Sequence, residues 1–357
     1  MKWNKVRITI TIISVLFFLT CIVYKDNISK YIDYNKKIKN FNYTYNVDKE
    51  LDVKGIIDKN NIIIQDEEKL IKYDLKRSKK DKIIAKINDG YDLKSLTASN
   101  EGVIWIETRV TPSISSKIYF KNYDSDEIRL IDESTDKILP DISLSGDNIT
   151  YYIINDNKFE IKLVNIKSFK ERMIKSYESS VNKGYISAPS INKDNIVWSY
   201  TNEEGSIVYI YNIDDTNITE MKTDEVIYNP VLKHNRLFAI KENLYYDKKI
   251  NDSYSSNYIV ELESKSNEWI KFESENIKNY IYEPKESIFR LAHNSNILYW
   301  LSSLRDGNCI YDSNNNKFIP LTKDNSKITT QILLAKENTI YYEFRTDEEV
   351  YKFILSI

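Results

Sequence analysis

The chain has 357 residues, of which 41% are hydrophobic and 29% charged, and 51 basic against 53 acidic side chains leave a formal net charge of −2. Such a composition excludes a disordered chain, and the balanced charge leaves no electrostatic footprint for nucleic acid. Two cysteines, Cys21 and Cys309, are too few and too differently placed for a disulfide framework or a thiolate zinc site.

Lys2, Lys5 and Arg7 precede an uncharged run from Ile8 to Tyr24. That run is just long enough to span a bilayer as one transmembrane helix. No small-residue cleavage site follows it, and Thr20 stands where a lipoprotein signal needs a small residue before Cys21. Residues 1–24 therefore read as an uncleaved signal-anchor, with membrane contact through residues 8–24. Residues 25–40 read as a stalk, which Ile28, Tyr31, Ile32 and Ile38 could make weakly helical. The basic flank favours an inside N-terminus and long domains translocate readily, so the expected location is a single-pass cell-membrane protein with its bulk extracytoplasmic.

From residue 41 to 357 the chain repeats itself. A short apolar run follows a turn at Ile62, Val103, Ile149, Ile196, Leu237, Ile297 and Ile340, at spacings of 41, 46, 47, 41, 60 and 43 residues. The run "DNIVW" around Ile196 shows the pattern, with Trp198 two residues beyond the anchor position. Each unit carries a second run ending in an aromatic and a polar residue, as at Tyr73, Tyr211 and Tyr311, and a third after a polar turn. A further apolar run precedes each anchor, such as "APSI" and "NPVL". Isoleucine, valine and tyrosine suit half-buried pleated surfaces, and Asn, Asp and Ser make the turns in a chain with only 7 glycines. Four short strands per unit at this spacing predict a β-propeller, whose units cannot bury both faces alone and so stack round an axis.

The expected fold is thus all-β: a propeller of about seven four-stranded blades, six or eight being the alternatives. Trp105, Tyr151 and Trp198 should wedge between neighbouring blades. The last unit ends one strand early at Ile357, while "FNYTYNV", Phe41 to Val47, alternates apolar and polar residues. It is expected to close the ring as the outer strand of the final blade. The long fifth step contains "NLYYDKKINDSY", Asn243 to Tyr254, which reads as an insertion in a hairpin loop, and the basic run from Lys76 to Lys82 reads as a solvated hairpin tip.

The stretch "PSINKDNIVWSYTNEEGSIVYIYNIDD", Pro189 to Asp215, resembles the repeats of TolB-like β-propellers, especially those of bacterial surface proteins. "WLSSLRDGNCIYD", Trp300 to Asp312, is similar to another form of that blade, with Arg305, Asp306 and Gly307 in its turn. The likeness extends over residues 50–357 and is sharp in two or three blades. It implies a fold and a binding platform. The family commonly has six blades where seven units are counted here.

Chemistry is harder to find. Only His234 and His293 could serve a serine nucleophile as base; both read as turn residues just ahead of anchor runs, and there is no G-x-S-x-G elbow. No phosphate loop, metal motif or cofactor signature occurs, so neither a metal nor a cofactor is expected. The leading expectation is a non-catalytic platform that binds a protein, a peptide or a cell-envelope glycan. The alternatives are an enzyme acting on polysaccharide or peptide through acidic residues on one face, and a structural scaffold of an envelope complex. The binding face is expected where loops from outer to next inner strand meet the turns between second and third strands. Tyr91, Tyr185, Tyr228, Tyr280 and Tyr282 fall there, with Arg109, Arg305 and Asp306 nearby and Tyr245 and Tyr246 in the insertion.

Overall fold

The computed structural model describes residues 42–356 apart from short stretches, the longest being 273–287, 303–308 and 321–327. For residues 243–256 and 288–333, and for several positions near both ends, only the backbone is described. The anchor and stalk read from residues 1–40 lie outside the described residues.

The described strands form seven antiparallel sheets, and no helix occurs among the described residues. We number the sheets I to VII and letter their strands a to d from first to outer. Sheet I runs Asp52–Asp58, Asn61–Asp66, Lys69–Asp74 and Lys79–Lys86, and sheet II Asp92–Ala98, Gly102–Arg109, Ser115–Asn122 and Ile128–Thr135. Sheet III comprises Ser143–Ser145, Asn148–Asn155, Lys158–Asn165 and Glu171–Glu178. In sheet IV, Asn195–Asn202, Gly205–Asn212 and Ile218–Thr223 are preceded by an a strand in two pieces, Tyr185–Ile186 and Ser190–Asn192. Pro189 has no N–H to give the ladder at that break. The gap is bridged by Ser187, whose N–H donates to Ser199 O and whose Oγ accepts from Ser199 N.

Sheet V runs Ile227–Lys233, Arg236–Asp247, Asp252–Glu263 and Glu268–Lys271, and sheet VI Ile288–His293, Ile297–Ser302, Cys309–Asp312 and Lys317–Pro320. Sheet VII takes Ile328–Lys336, Thr339–Thr346 and Val350–Ser356 from the C-terminal end and Asn42–Asn46 from the N-terminal end, the latter beside Val350–Ser356. The insertion of the fifth unit is no loop. It continues strands b and c as a ladder reaching Tyr245↔Tyr254 and Asp247↔Asp252. Its tyrosines and serines suit a strand better than an irregular tip. His293, read as a turn residue, is the last residue of its strand, opposite Leu298.

The units share a turn chemistry. The polar residue ending strand c accepts the N–H of a residue in the c–d turn: Arg77 N to Asp74 Oδ1 at 3.0 Å, Asp124 N to Asn122 Oδ1 at 2.8 Å, Ser168 N to Asn165 Oδ1 at 2.9 Å, and Asp214 N to Asn212 Oδ1 at 3.0 Å. Short carboxylates and amides stabilise turns in this way. The next residue crosses to the a–b turn, as in Leu75 N to Asn60 O and Ile213 N to Asp194 O.

Side chains on alternate faces of strands b and c then pack against the preceding and the following sheet. Val103 and Trp105 join Ile63 and Leu70 between sheets I and II; Ile149 and Tyr151 join Ile104 and Ile118 between II and III. Trp198 joins Ile161 and Leu163 between III and IV, and Val197 joins Leu237 and Val260 between IV and V. Tyr341 and Ile354 of sheet VII share a cluster with Ile62 and Ile64 of sheet I. Trp105, Tyr151 and Trp198 are all buried, each wedged against the sheet before it.

Candidate functional site

The loops from strand d to the next strand a and the b–c turns lie at one end of the sheets. Among the described residues, nine large hydrophobic side chains are exposed. Six of them, including Met173 and Leu130, lie on outer strands. The other three, Val110 at 56%, Ile138 at 47% and Tyr185 at 54% exposure, all lie at this loop end.

A first corner forms between sheets I and II. Its foundation is Glu107, a fully buried carboxylate that accepts from Trp105 Nε1 at 2.8 Å, Asn88 N at 3.1 Å and Asn88 Nδ2 at 2.6 Å. Buried charge is tolerable only when satisfied in this manner. Glu107 therefore fixes the I–II loop, in which Tyr91 N donates to Asn88 O. Tyr91 then presents its ring to the Arg109 guanidinium at 5.1 Å and to Lys117 Nζ at 5.4 Å, both within cation–π range. Its hydroxyl donates to Ser115 Oγ at 3.3 Å.

A second corner spans sheets III to V. Tyr185 is held in register with Thr201, and Gly184 before it lies flat on the Tyr200 ring, where a Cβ would come within 2.5 Å. Tyr200 stacks on Tyr177 at 6.0 Å. Burial, the Glu242 carboxylate and the neighbouring Tyr185 push the Tyr228 phenol well above the ordinary tyrosine range, and burial with Tyr185 pushes Tyr152 upward too. Tyr152, Tyr185 and Tyr228 thus share one neighbourhood. Beside it, Lys241 pairs with Glu225 and Glu242 N donates to Val226 O, and from there the extended b–c hairpin of sheet V continues past strand a.

Of the residues singled out in the sequence, Tyr91 and Arg109 meet in the first corner and Tyr185 and Tyr228 in the second. Tyr245 and Tyr246 lie on the extended hairpin, opposite Tyr254 and Ser253. Tyr280, Tyr282, Arg305 and Asp306 lie outside the described residues. Glu107 and Lys117 escaped the sequence reading. Glu107 was detectable in principle, because it stands two residues after Trp105 and must share its inward face. Among the described residues no group of three His, Cys, Asp or Glu side chains gathers in the way a metal site would need.

Seven such sheets with this packing define a β-propeller. Solved structures similar to the chain include a puromycin hydrolase S511A mutant complexed with PGG (TM-score 0.54, 8% identity, covering 85% of this chain and 52% of that one). The β-propeller domain of Cps50 (Swd1) from Myceliophteria thermophila matches at 0.52, with 10% identity over 88% of this chain and 99% of that one. That of the trilobed protease from Pyrococcus furiosus, with an open velcro topology, matches at 0.51, with 13% identity over 74% and 81%. TolB proteins from Acinetobacter baumannii and Agrobacterium tumefaciens are also among the similar structures, at 0.46 and 0.40. No protein-family model and no curated protein matches the chain.

Proposed function

We propose that this chain is a membrane-anchored, extracytoplasmic propeller of seven blades, closed by its N-terminal strand, that binds a protein, peptide or envelope glycan without catalysis. The uncharged run Ile8–Tyr24 supports the anchor. The pairing of Asn42–Asn46 beside Val350–Ser356, and the cluster joining sheets VII and I, support closure. The observation that carries the binding role is the hairpin of sheet V. Its strands are 12 residues long, against 8 in the corresponding hairpins of sheets II, III and IV, and it rises at the loop end beside Tyr228. A ladder of that length, projecting next to half-buried and exposed tyrosines, offers area with polar tips, which is what binding surfaces favour.

The test is capture from an envelope extract by the full chain in mild detergent, with crosslinking, comparing the intact protein with one in which 243–254 is replaced by a tight turn. A partner captured by the intact chain and lost with the hairpin supports the platform. Capture indifferent to the hairpin, or no capture by a folded chain, overturns it.

A further inference from the structure

The first corner carries unspent positive charge. Five arginines have described side chains. Arg77, Arg129 and Arg236 face carboxylates, and Arg172 donates to Tyr211 Oη at 2.7 Å and Ile213 O at 3.3 Å. Arg109 differs from all four. Its Nε is buried with no acceptor, and its Nη2 has only a 3.5 Å contact to Ser113 Oγ on the exposed b–c turn. Lys117 lies in register between Glu107 and Glu133, yet it pairs with neither and turns its Nζ over the Tyr91 ring instead. Two cations therefore crowd one ring, and Glu107, the nearest buried carboxylate, is already committed to Trp105 and Asn88. Like charges so placed repel, and an anion entering between them would relieve that repulsion.

The surroundings narrow the anion's carrier. Val110 follows Arg109 directly. Ile138 is pinned against the same strand end, because Ser116 Oγ, paired with Thr108 Oγ1, donates to Lys137 O and accepts from Leu139 N. Both aliphatic side chains are about half exposed, and the Lys137 side chain beside them is exposed as well. An arginine fork matches a planar carboxylate in two parallel hydrogen bonds, and isolated aliphatic side chains beside it match apolar side chains rather than a headgroup plane.

We propose that Arg109, Lys117 and Tyr91 form a carboxylate-binding subsite for an acidic, aliphatic peptide segment of a partner protein, with Val110 and Ile138 receiving the segment's apolar side chains. The ligand carboxylate displaces Ser113 Oγ, takes the guanidinium donors and sits within reach of Lys117. This assignment rests on the platform reading and names the partner's chemistry.

The probe is a fluorescein-labelled peptide alternating Glu with Leu and Ile, read by anisotropy on the full chain in zwitterionic detergent. A Gln-for-Glu peptide and phosphatidylglycerol vesicles form separate arms. The Glu peptide should bind, with Arg109→Gln weakening it about tenfold to a hundredfold, the range expected for a charge-assisted hydrogen bond. Arg109→Lys should fall between, keeping the charge without the fork, and Lys117→Gln should weaken binding with the thermal midpoint unchanged. Equal affinity for the Gln peptide, indifference to both Arg109→Gln and Lys117→Gln, binding to vesicles alone, or no binding at about 1 mM peptide would each overturn the subsite. If envelope capture depends on the hairpin but survives Arg109→Gln, the platform stands and the subsite falls.

Discussion

Trp198 is fully buried, its indole stacked on Tyr209 at 5.1 Å and its Nε1 donating to Tyr177 Oη at 2.8 Å. Replacing it with alanine empties a volume that two sheets share and removes a donor from the Tyr177 hydroxyl, so a loss of about 3–5 kcal/mol is expected in denaturant unfolding. Trp198→Phe should lose distinctly less, since the stack survives. Equal losses would show that the hydrogen bond, not the volume, dominates. Buried phenols make a related demand. Burial is the largest effect raising the Tyr123, Tyr151, Tyr177 and Tyr228 phenols far above the ordinary range. A folded pKa above the unfolded one gives stability that is complete below the unfolded value, near 10, and is lost as pH rises beyond it. Alkaline titration should therefore show these phenolates appearing together with unfolding; independent ionisation in a still-folded chain would contradict their burial. Sequence made the wedge aromatics legible, because each stands two residues after a repeated anchor. It did not reveal the polar partners of their tips. Glu107 meets Asn88 across a loop, and Tyr151 meets Asp132 of another sheet.

At the scale of the element, neighbouring sheets are also tied by a hydroxyl pair that two blades repeat. Thr201 Oγ1 lies 3.0 Å from Ser206 Oγ, Thr201 donates to Ile227 O at 2.6 Å, and Ile227 N donates to Ser206 Oγ at 2.8 Å. Thr108 and Ser116 form the second pair, at 3.0 Å, where Ser116 alone serves the loop, donating to Lys137 O and accepting from Leu139 N. Each serine satisfies a buried main-chain group at the start of the next unit. Ser206→Ala leaves the Ile227 N–H without its acceptor and is expected to cost about 1–3 kcal/mol, while Ser206→Thr, which keeps the hydroxyl, should recover part of it. An unchanged denaturation midpoint for Ser206→Ala would mean that water replaces the hydroxyl. Gly205 beside it has no such latitude: its φ is 126° and a Cβ would meet Thr223 O at 2.2 Å, so Gly205→Ala should destabilise more than a surface change. The regular spacing of units announced the four strands per sheet. The insertion was visible as extra length, but not as paired strand, since periodicity in a Tyr- and Ser-rich run fits either. The split first strand of sheet IV was written only in Pro189, whose missing N–H breaks a ladder that the flanking residues continue.

Sheet VII is assembled from both ends of the chain, and one buried lysine holds the junction. Lys352 Nζ donates to Lys49 O at 2.7 Å and Leu51 O at 2.6 Å, and lies 3.7 Å from the Glu343 carboxylate, both side chains being buried. Those carbonyls belong to the segment joining Asn42–Asn46 to sheet I, while Val47 N donates to Lys352 O and Tyr45 Oη reaches Asn60 Oδ1 at 3.0 Å. The alternation in "FNYTYNV" made this outer strand legible in the sequence. The lysine was not, because its acceptors are main-chain atoms that no residue pattern announces. In the closed ring proposed above, every force tending to part the ends acts on this junction. Lys352→Met removes the donor to both carbonyls and takes one cation away from the buried Glu343 carboxylate, a change expected to cost about 3–5 kcal/mol. Replacing Glu343 with Gln in the same chain should return part of that loss, since the buried charge that faced the lysine is then gone. The decisive readout is local: limited proteolysis should cut Lys352→Met within 47–51 under conditions that leave the parent chain intact. Lowered stability with 47–51 still protected would mean that the lysine supports sheet VII alone and that the N-terminal strand is held by its ladder and by Tyr45.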